Sequence, residues 1–109
     1  MFALLDRRDG RFLGRAGLRY WPQFDETEIG WVLRRDAWGW GYASEAAGAI
    51  LGWGFEVVPA PYFTAMIDPD NERSIRVARR LGLSPLRRDV LAGVPVVVYA
   101  VAREDWAGS

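Results

Sequence analysis

The sequence predicts an α+β domain, a layered α/β/α arrangement in which two helices lie against a mixed, mostly antiparallel sheet in the order β-β-β-α-β-α-β-β. Three observations predict it. Short runs rich in β-branched and aromatic residues recur between turn signals, among them Asp9-Gly10 and Ala92-Gly93. A segment from about Gly41 to Glu56 is apolar nearly all round, as a buried helix is. A second segment, opened by Asn71 and closed by Gly82, carries its apolar residues on one stripe.

Taken in order, residues 1–6 and 11–21 read as two hairpin strands joined by Arg7-Arg8-Asp9-Gly10. Trp21-Pro22-Gln23-Phe24-Asp25 connects them to a third strand over 27–34. That strand puts Ile29, Trp31 and Leu33 on one face and Glu28, Gly30 and Val32 on the other. The first helix, over 41–56, has Ser44, Glu45 and Glu56 as its polar exceptions. Gly48, Gly52 and Gly54 each cost up to roughly 1 kcal/mol relative to Ala in a helix interior. That cost points either to close packing on the sheet or to an early end near Gly52. Val57-Val58-Pro59-Ala60-Pro61 stops the helix. Tyr62 to Ile67 is a strand and Asp68-Pro69-Asp70 a turn. The second helix runs from its N-cap Asn71 to Leu81, burying Ile75, Ala78 and Leu81 and leaving Glu72, Arg73, Arg76, Arg79 and Arg80 mostly solvated. Leu83 to Arg88 and Pro95 to Ala102 close the chain as two strands around Ala92-Gly93.

Composition narrows the chemistry. The 109 residues, half of them apolar, make one small domain. The formal net charge is zero, which gives no electrostatic case for nucleic acid. The opening residues are no signal peptide and no segment approaches a membrane span, so a soluble cytoplasmic protein is expected. The chain has no Cys and no His, and all 14 basic residues are Arg. Zinc-site, Cys–His and Ser–His–Asp chemistry is therefore excluded, as are a Walker A lysine and a Schiff base; no metal is expected.

The most informative stretch is Trp38-Gly39-Trp40-Gly41-Tyr42-Ala43, between the third strand and the first helix. Two glycines one residue apart let backbone N–H groups turn toward a common point, and the helix aims its unpaired amides and positive dipole end there. Such a turn suits phosphate or pyrophosphate. A dinucleotide fingerprint does not fit: Ser44 stands where a third Gly or Ala is needed, and no acidic residue lies around Val58 to Tyr62. The arrangement resembles the acyl-CoA-binding core of the GNAT acetyltransferases, and more narrowly the RimJ/RimL-like branch of ribosomal-protein N-acetyltransferases. The GNAT pattern is Gln/Arg-x-x-Gly-x-Gly/Ala; Trp38, Gly41 and Ala43 occupy its defined places. Trp38 departs from Gln/Arg, which leaves the backbone amides of Gly39, Trp40, Gly41, Tyr42 and Ala43 to hold the pyrophosphate. Glu45 fits the branch and also a favourable helix-end position.

The resemblance extends to Asn71-Glu72-Arg73-Ser74. There it implies that Asn71 contacts the pantetheine arm and that Ser74 protonates the leaving thiolate; read from the residues alone, Asn71 is a helix cap and Ser74 a first-turn hydroxyl. Glu28 is implied as the base for an incoming amine, directly or through water, with a plain surface carboxylate as its other reading and Asp25 and Glu26 as nearby substitutes. Val32, Leu33 and Arg34 are implied to offer backbone hydrogen bonds to pantetheine. Trp31, Trp40, Tyr42 and Tyr99 read as core or cleft walls, with Tyr99 able to reach the acceptor side. The expected cofactor is acetyl-CoA, the expected acceptor a primary amine (a protein N-terminus or a small amine), and the expected reaction direct transfer, which needs only carboxylates, hydroxyls and backbone groups. Acceptor specificity is expected in the N-terminal part of the GNAT order and in loops such as Asp89 to Val94. Against the GNAT order, the N-terminal strand and helices are missing. A homodimer is expected from the uncovered sheet and the six tryptophans. Two alternatives stay open: a non-catalytic acyl-CoA-binding or protein-interaction module, and an unrelated anion-binding domain.

Overall fold

Alternating apolar runs and capped helical segments fold here in the expected order. A computed structural model describes residues 2–6, 8–39 and 41–106. The elements are β1 (Phe2–Leu5), β2 (Phe12–Trp21), β3 (Glu26–Leu33), α1 (Tyr42–Val57), β4 (Tyr62–Ile67), α2 (Glu72–Arg80), β5 (Ser84–Leu91) and β6 (Val94–Ala102). Short 3-10 turns at Arg35–Ala37 and Arg103–Asp105 are additions to the expected set. No helix among the described residues is long and apolar enough to cross a membrane.

The six strands form one sheet in the order β1-β2-β3-β4-β6-β5. All neighbours are antiparallel except β3 and β4. The crossovers β3-α1-β4 and β4-α2-β5 both step in the same direction along the sheet, and right-handed crossovers then put both helices on one face. A Cβ built on Gly48 of α1 meets Leu81, at the end of α2, at 3.4 Å. The described residues thus make two layers rather than the expected three: two helices on one face, no helix on the other.

The core lies under the helices. Ala16, Ile29, Phe63, Ala65, Ile67, Tyr99 and Val101 of the sheet pack against Ala47, Ile50, Leu51, Phe55 and Ala78 of the helices. Tyr99 is therefore core and does not reach an acceptor on the bare face. Helix α1 passes through Gly52 without ending. Close packing accounts for Gly54, where an added Cβ comes within 2.8 Å of Leu18 and 3.1 Å of Phe63. After α1 the chain is clipped by Arg103, whose guanidinium donates to the carbonyls of Phe55, Val58 and Ala60. Helix α2 ends as a Schellman turn, with Leu83 N–H on the Ala78 carbonyl at 2.9 Å and Gly82 at φ 89°. Strand β5 runs on to Leu91 because Ala92-Gly93 alone, at φ 51° and 80°, makes the hairpin turn. Asp89 to Val94 is accordingly mostly strand and not a loop.

One polar strap crosses the bare face. Arg87 on β5 reaches over β6 and β4 to Glu26 on β3 through two bonds of 2.7 Å. The Tyr62 hydroxyl donates to Glu26 at 2.9 Å, and Arg87 also donates to Asp89 at 3.1 Å. On the strands crossed, Thr64 and Val98 are fully buried. The guanidinium of Arg87, aided by Tyr62, holds the Glu26 carboxyl below the usual carboxylate range, and Glu26 in turn raises Tyr62. Glu26, buried and committed, cannot substitute for Glu28 as a base; Asp25 is held by the Tyr20 hydroxyl at 2.7 Å.

Candidate functional site

The sheet is split between its two parallel strands. β3 and β4 are in register only at Thr27–Phe63 and Glu28–Thr64, and beyond that they diverge. The gap, about 260 Å³, is lined by Ile29, Ala65 and Ile67 at core positions and by Glu28, Gly30, Val32 and Met66 on the bare side. Asn71 and Ser74 line it from α2. It is therefore a passage connecting the helix side of the sheet to the bare side.

The ladder between β2 and β3 decides which backbone groups face that passage. The Arg34 N–H bonds to the Leu13 carbonyl at 2.8 Å. Continued in register, Val32, Gly30 and Glu28 exchange their backbone bonds with Arg15, Gly17 and Arg19, and the groups of Trp31 and Leu33 turn toward the split. This corrects part of the expectation. Leu33 is available to an extended ligand arm, and Trp31 joins it. Arg34 is not available: its N–H is taken and its side chain pairs with Asp36 at 3.3 Å. Val32 has its backbone committed to β2 and contributes only its side chain, 61% exposed, to the wall.

Glu28 sits where strand pairing stops. One carboxylate oxygen accepts the Trp21 indole N–H at 2.9 Å, and the other accepts the Met66 N–H of β4 at 3.3 Å. Ser74, across the gap, accepts the Trp31 indole N–H at 3.2 Å, which leaves its own hydroxyl proton free to point elsewhere. Asn71 caps α2, its side-chain oxygen accepting the Ser74 N–H at 3.2 Å.

From the split the cleft continues along the helix side. A space of about 510 Å³ is shared by Trp31, Leu33, Trp38, Ala43, Asn71 and Ser74. It leads to one of about 400 Å³ lined by Gly39, Gly41, Tyr42, Ala43 and Ser44. Gly39 and Gly41 stand at φ 86° and 78°, and a Cβ on either meets nothing within 4 Å. The turn is thus a bare backbone cradle open to the cleft. Gly41 is the N-cap of α1 and offers no side chain to the first-turn amides. Trp40 lies outside the described residues.

The sequence reading missed the opposite wall. Arg73, Arg76 and Arg80 of α2 line the same space, and Arg73 stacks over the Trp38 ring at 3.6 Å. Though exposed, these arginines are not merely solvated. The signal was present: positions i, i+3 and i+7 share one helix face. Together the glycine turn, the open helix start and three guanidinium groups form a site for a polyanion.

Residues 1–84 match the acetyltransferase (GNAT) domain family. The chain belongs to the GNAT acetyltransferase family. It is 41% identical over 98 residues to the uncharacterized protein YkkB of Bacillus subtilis (strain 168), covering 86% of this chain and 56% of that protein. It is 26% identical to the uncharacterized N-acetyltransferase p20 of Bacillus licheniformis over 98% of this chain and 64% of p20. Among solved structures, a GNAT-family acetyltransferase from Bacillus anthracis superposes with a TM-score of 0.83 at 27% identity, over 94% of this chain and 66% of that one. The chain thus spans less than two thirds of the length of each of these two relatives. The GNAT match takes in the glycine turn, the split and both helix starts.

Proposed function

We propose that this domain transfers an acetyl group from acetyl-CoA directly to a primary amine, in the manner of the RimJ/RimL-like branch. The passage through the split sheet carries this reading. A polyanion cradle opens to one end of it and a positioned carboxylate stands at the other.

The cradle fits the cofactor chemically. The amides of Gly39, Gly41, Tyr42 and Ala43, facing Arg73, Arg76 and Arg80, match a pyrophosphate. Trp31 and Leu33 offer strand-like hydrogen bonds to an amide-bearing arm, with Asn71 alongside. Acetyl-CoA, when bound, supplies an acetyl group already activated as a thioester. Glu28 takes a proton from the attacking amine, directly or through one water, as the C–N bond forms. Ser74, its oxygen already engaged by Trp31, gives its hydroxyl proton to the sulfur as the C–S bond breaks and regains one from water, balancing the proton that Glu28 takes from the amine and releases to water. The bare face supplies the approach for the amine. A homodimer formed through the β1 edge is the assembly we propose, since Leu5 and Phe12, paired across β1 and β2, are 59% and 42% exposed. Light scattering at high concentration should give twice the chain mass; a single-chain mass rejects the dimer.

Calorimetric titration with acetyl-CoA tests the cofactor reading: one site per chain is expected, and no uptake rejects it. The Ser74→Ala variant should then bind acetyl-CoA with unchanged affinity but release thiol about 100-fold more slowly with an accepted amine. Equal turnover reduces Ser74 to a helix-start residue.

A further inference from the structure

On the bare face, directly beside the split, Gly30 leaves a stretch of half-exposed backbone with no side chain of its own. Gly17 of β2 and Gly30 of β3 are cross-strand partners. Their flanking pairs are Arg15–Val32 on one side and Arg19–Glu28 on the other. Ala16 and Ile29 belong to the core, so Arg15, Gly17 and Arg19 face away from the helices, and Gly30, Val32 and Glu28 stand with them. The result is a trough floored by the half-exposed backbone of Gly30, with the buried Gly17 beside it and an exposed arginine toward each end. Glu28, Gly30 and Val32 also line the passage, so the trough empties into it. A Cβ on Gly30 meets nothing within 4 Å, which shows open space above Gly30.

The charges of this face are unevenly committed. Glu26 and Asp89 are both paired with Arg87. Glu28 has its two hydrogen bonds to Trp21 and Met66. Arg15 and Arg19 are exposed and pair with no carboxylate among the described residues; Arg19 rests on the Trp21 ring at 4.1 Å. What is left over is two cations flanking a trough whose one end holds the carboxylate of Glu28. A polycation meets repulsion there. A ligand with one amine and one anionic group finds a partner for each, the amine at Glu28 and the anion at an arginine. Arg15 and Arg19 lie four residues apart on one strand, roughly 13 Å, so a short extended ligand spans the floor.

We propose that the acceptor is an amine carrying a carboxylate, laid over Gly30 between Arg15 and Arg19. The proposal rests on the acyl-transfer reading for the role of Glu28, and its test is separable from it. Two C-terminally amidated tripeptides with free N-termini serve as probes, alanyl-glutamyl-phenylalanine amide and its glutaminyl counterpart. They are titrated calorimetrically onto the protein, with and without saturating CoA. The glutamyl peptide should bind about tenfold more tightly at low salt, an advantage that shrinks as salt screens it. In the Arg15→Gln/Arg19→Gln double variant the two peptides should bind equally. Gly30→Val, whose side chain enters open space, should abolish binding of both with an unchanged Tm. Equal affinities in the natural chain, no binding of either peptide, a preference surviving in the double variant, or binding retained by Gly30→Val each overturns the proposal. A chain that takes up no acetyl-CoA counts against the acyl-transfer reading alone, because the titrations without CoA still decide the trough.

Discussion

The two helices begin in opposite ways. Helix α2 closes its own start: Asn71 gives its side-chain oxygen to the Ser74 N–H and its carbonyl to the Ile75 N–H at 3.1 Å. Helix α1 starts on Gly41, which carries nothing to close it. A capped start satisfies its amides within the chain, whereas an uncapped one keeps them for something else. Around the open start stand Arg73, Arg76 and Arg80, all from the helix whose own start is closed. The division of labour is plain: α1 contributes its backbone to the cradle, and α2 contributes side chains.

That contrast can be broken at its centre by Gly41→Asp, which puts a carboxylate on the open amides. Acetyl-CoA affinity should fall by about 100-fold or more, since the new group occupies and repels what the amides would hold. Calorimetry decides it, and unchanged affinity removes the cradle from the site. A smaller effect is expected from the facing wall. Arg76→Ala should weaken acetyl-CoA binding about tenfold, with a reduced salt dependence, whereas Arg79→Ala, which does not line the cleft, should leave both unchanged. Equal effects of the two variants reduce the cluster to a diffuse charge. The smallest change addresses the closed start: Asn71→Ala should cost about 1 kcal/mol of stability, read from denaturant midpoints. No loss in the midpoint means that the hydrogen bond to Ser74 does not hold α2.

Most of the fold was legible in local pattern. Asn71 and Gly82 marked the ends of α2, and the apolar run after Gly41 marked α1, because caps and periodicity are local properties. The split between β3 and β4 was not legible from the strands themselves; nothing in their residues says that pairing stops after Glu28 and Thr64. The position of both helices on one face followed from crossover handedness, a rule that applies once strand order is known. The strap from Arg87 to Glu26 joins residues 61 positions apart, and no short-range signal announces such a pair. Of the site, Glu28, Asn71, Ser74 and the glycine turn all line the cleft as expected. Arg34 failed because strand phase, which decides where an N–H points, depends on the partner strand. Arg73, Arg76 and Arg80 failed for a different reason: their spacing was visible, but a charged face looks the same whether it meets water or a ligand.

The strap has a mechanical meaning. It ties β5 to β3 beside the point where the two halves of the sheet last touch, so that point behaves as the pivot of a pair of scissors. For a given angle of opening, displacement grows with distance from a pivot. Glu28 is at the pivot, and Gly41 lies beyond the open end of β3, so any opening displaces Gly41 more than Glu28. A guest at the tips can vary in bulk or arrive by prising the blades apart, while a carboxylate near the pin keeps its aim.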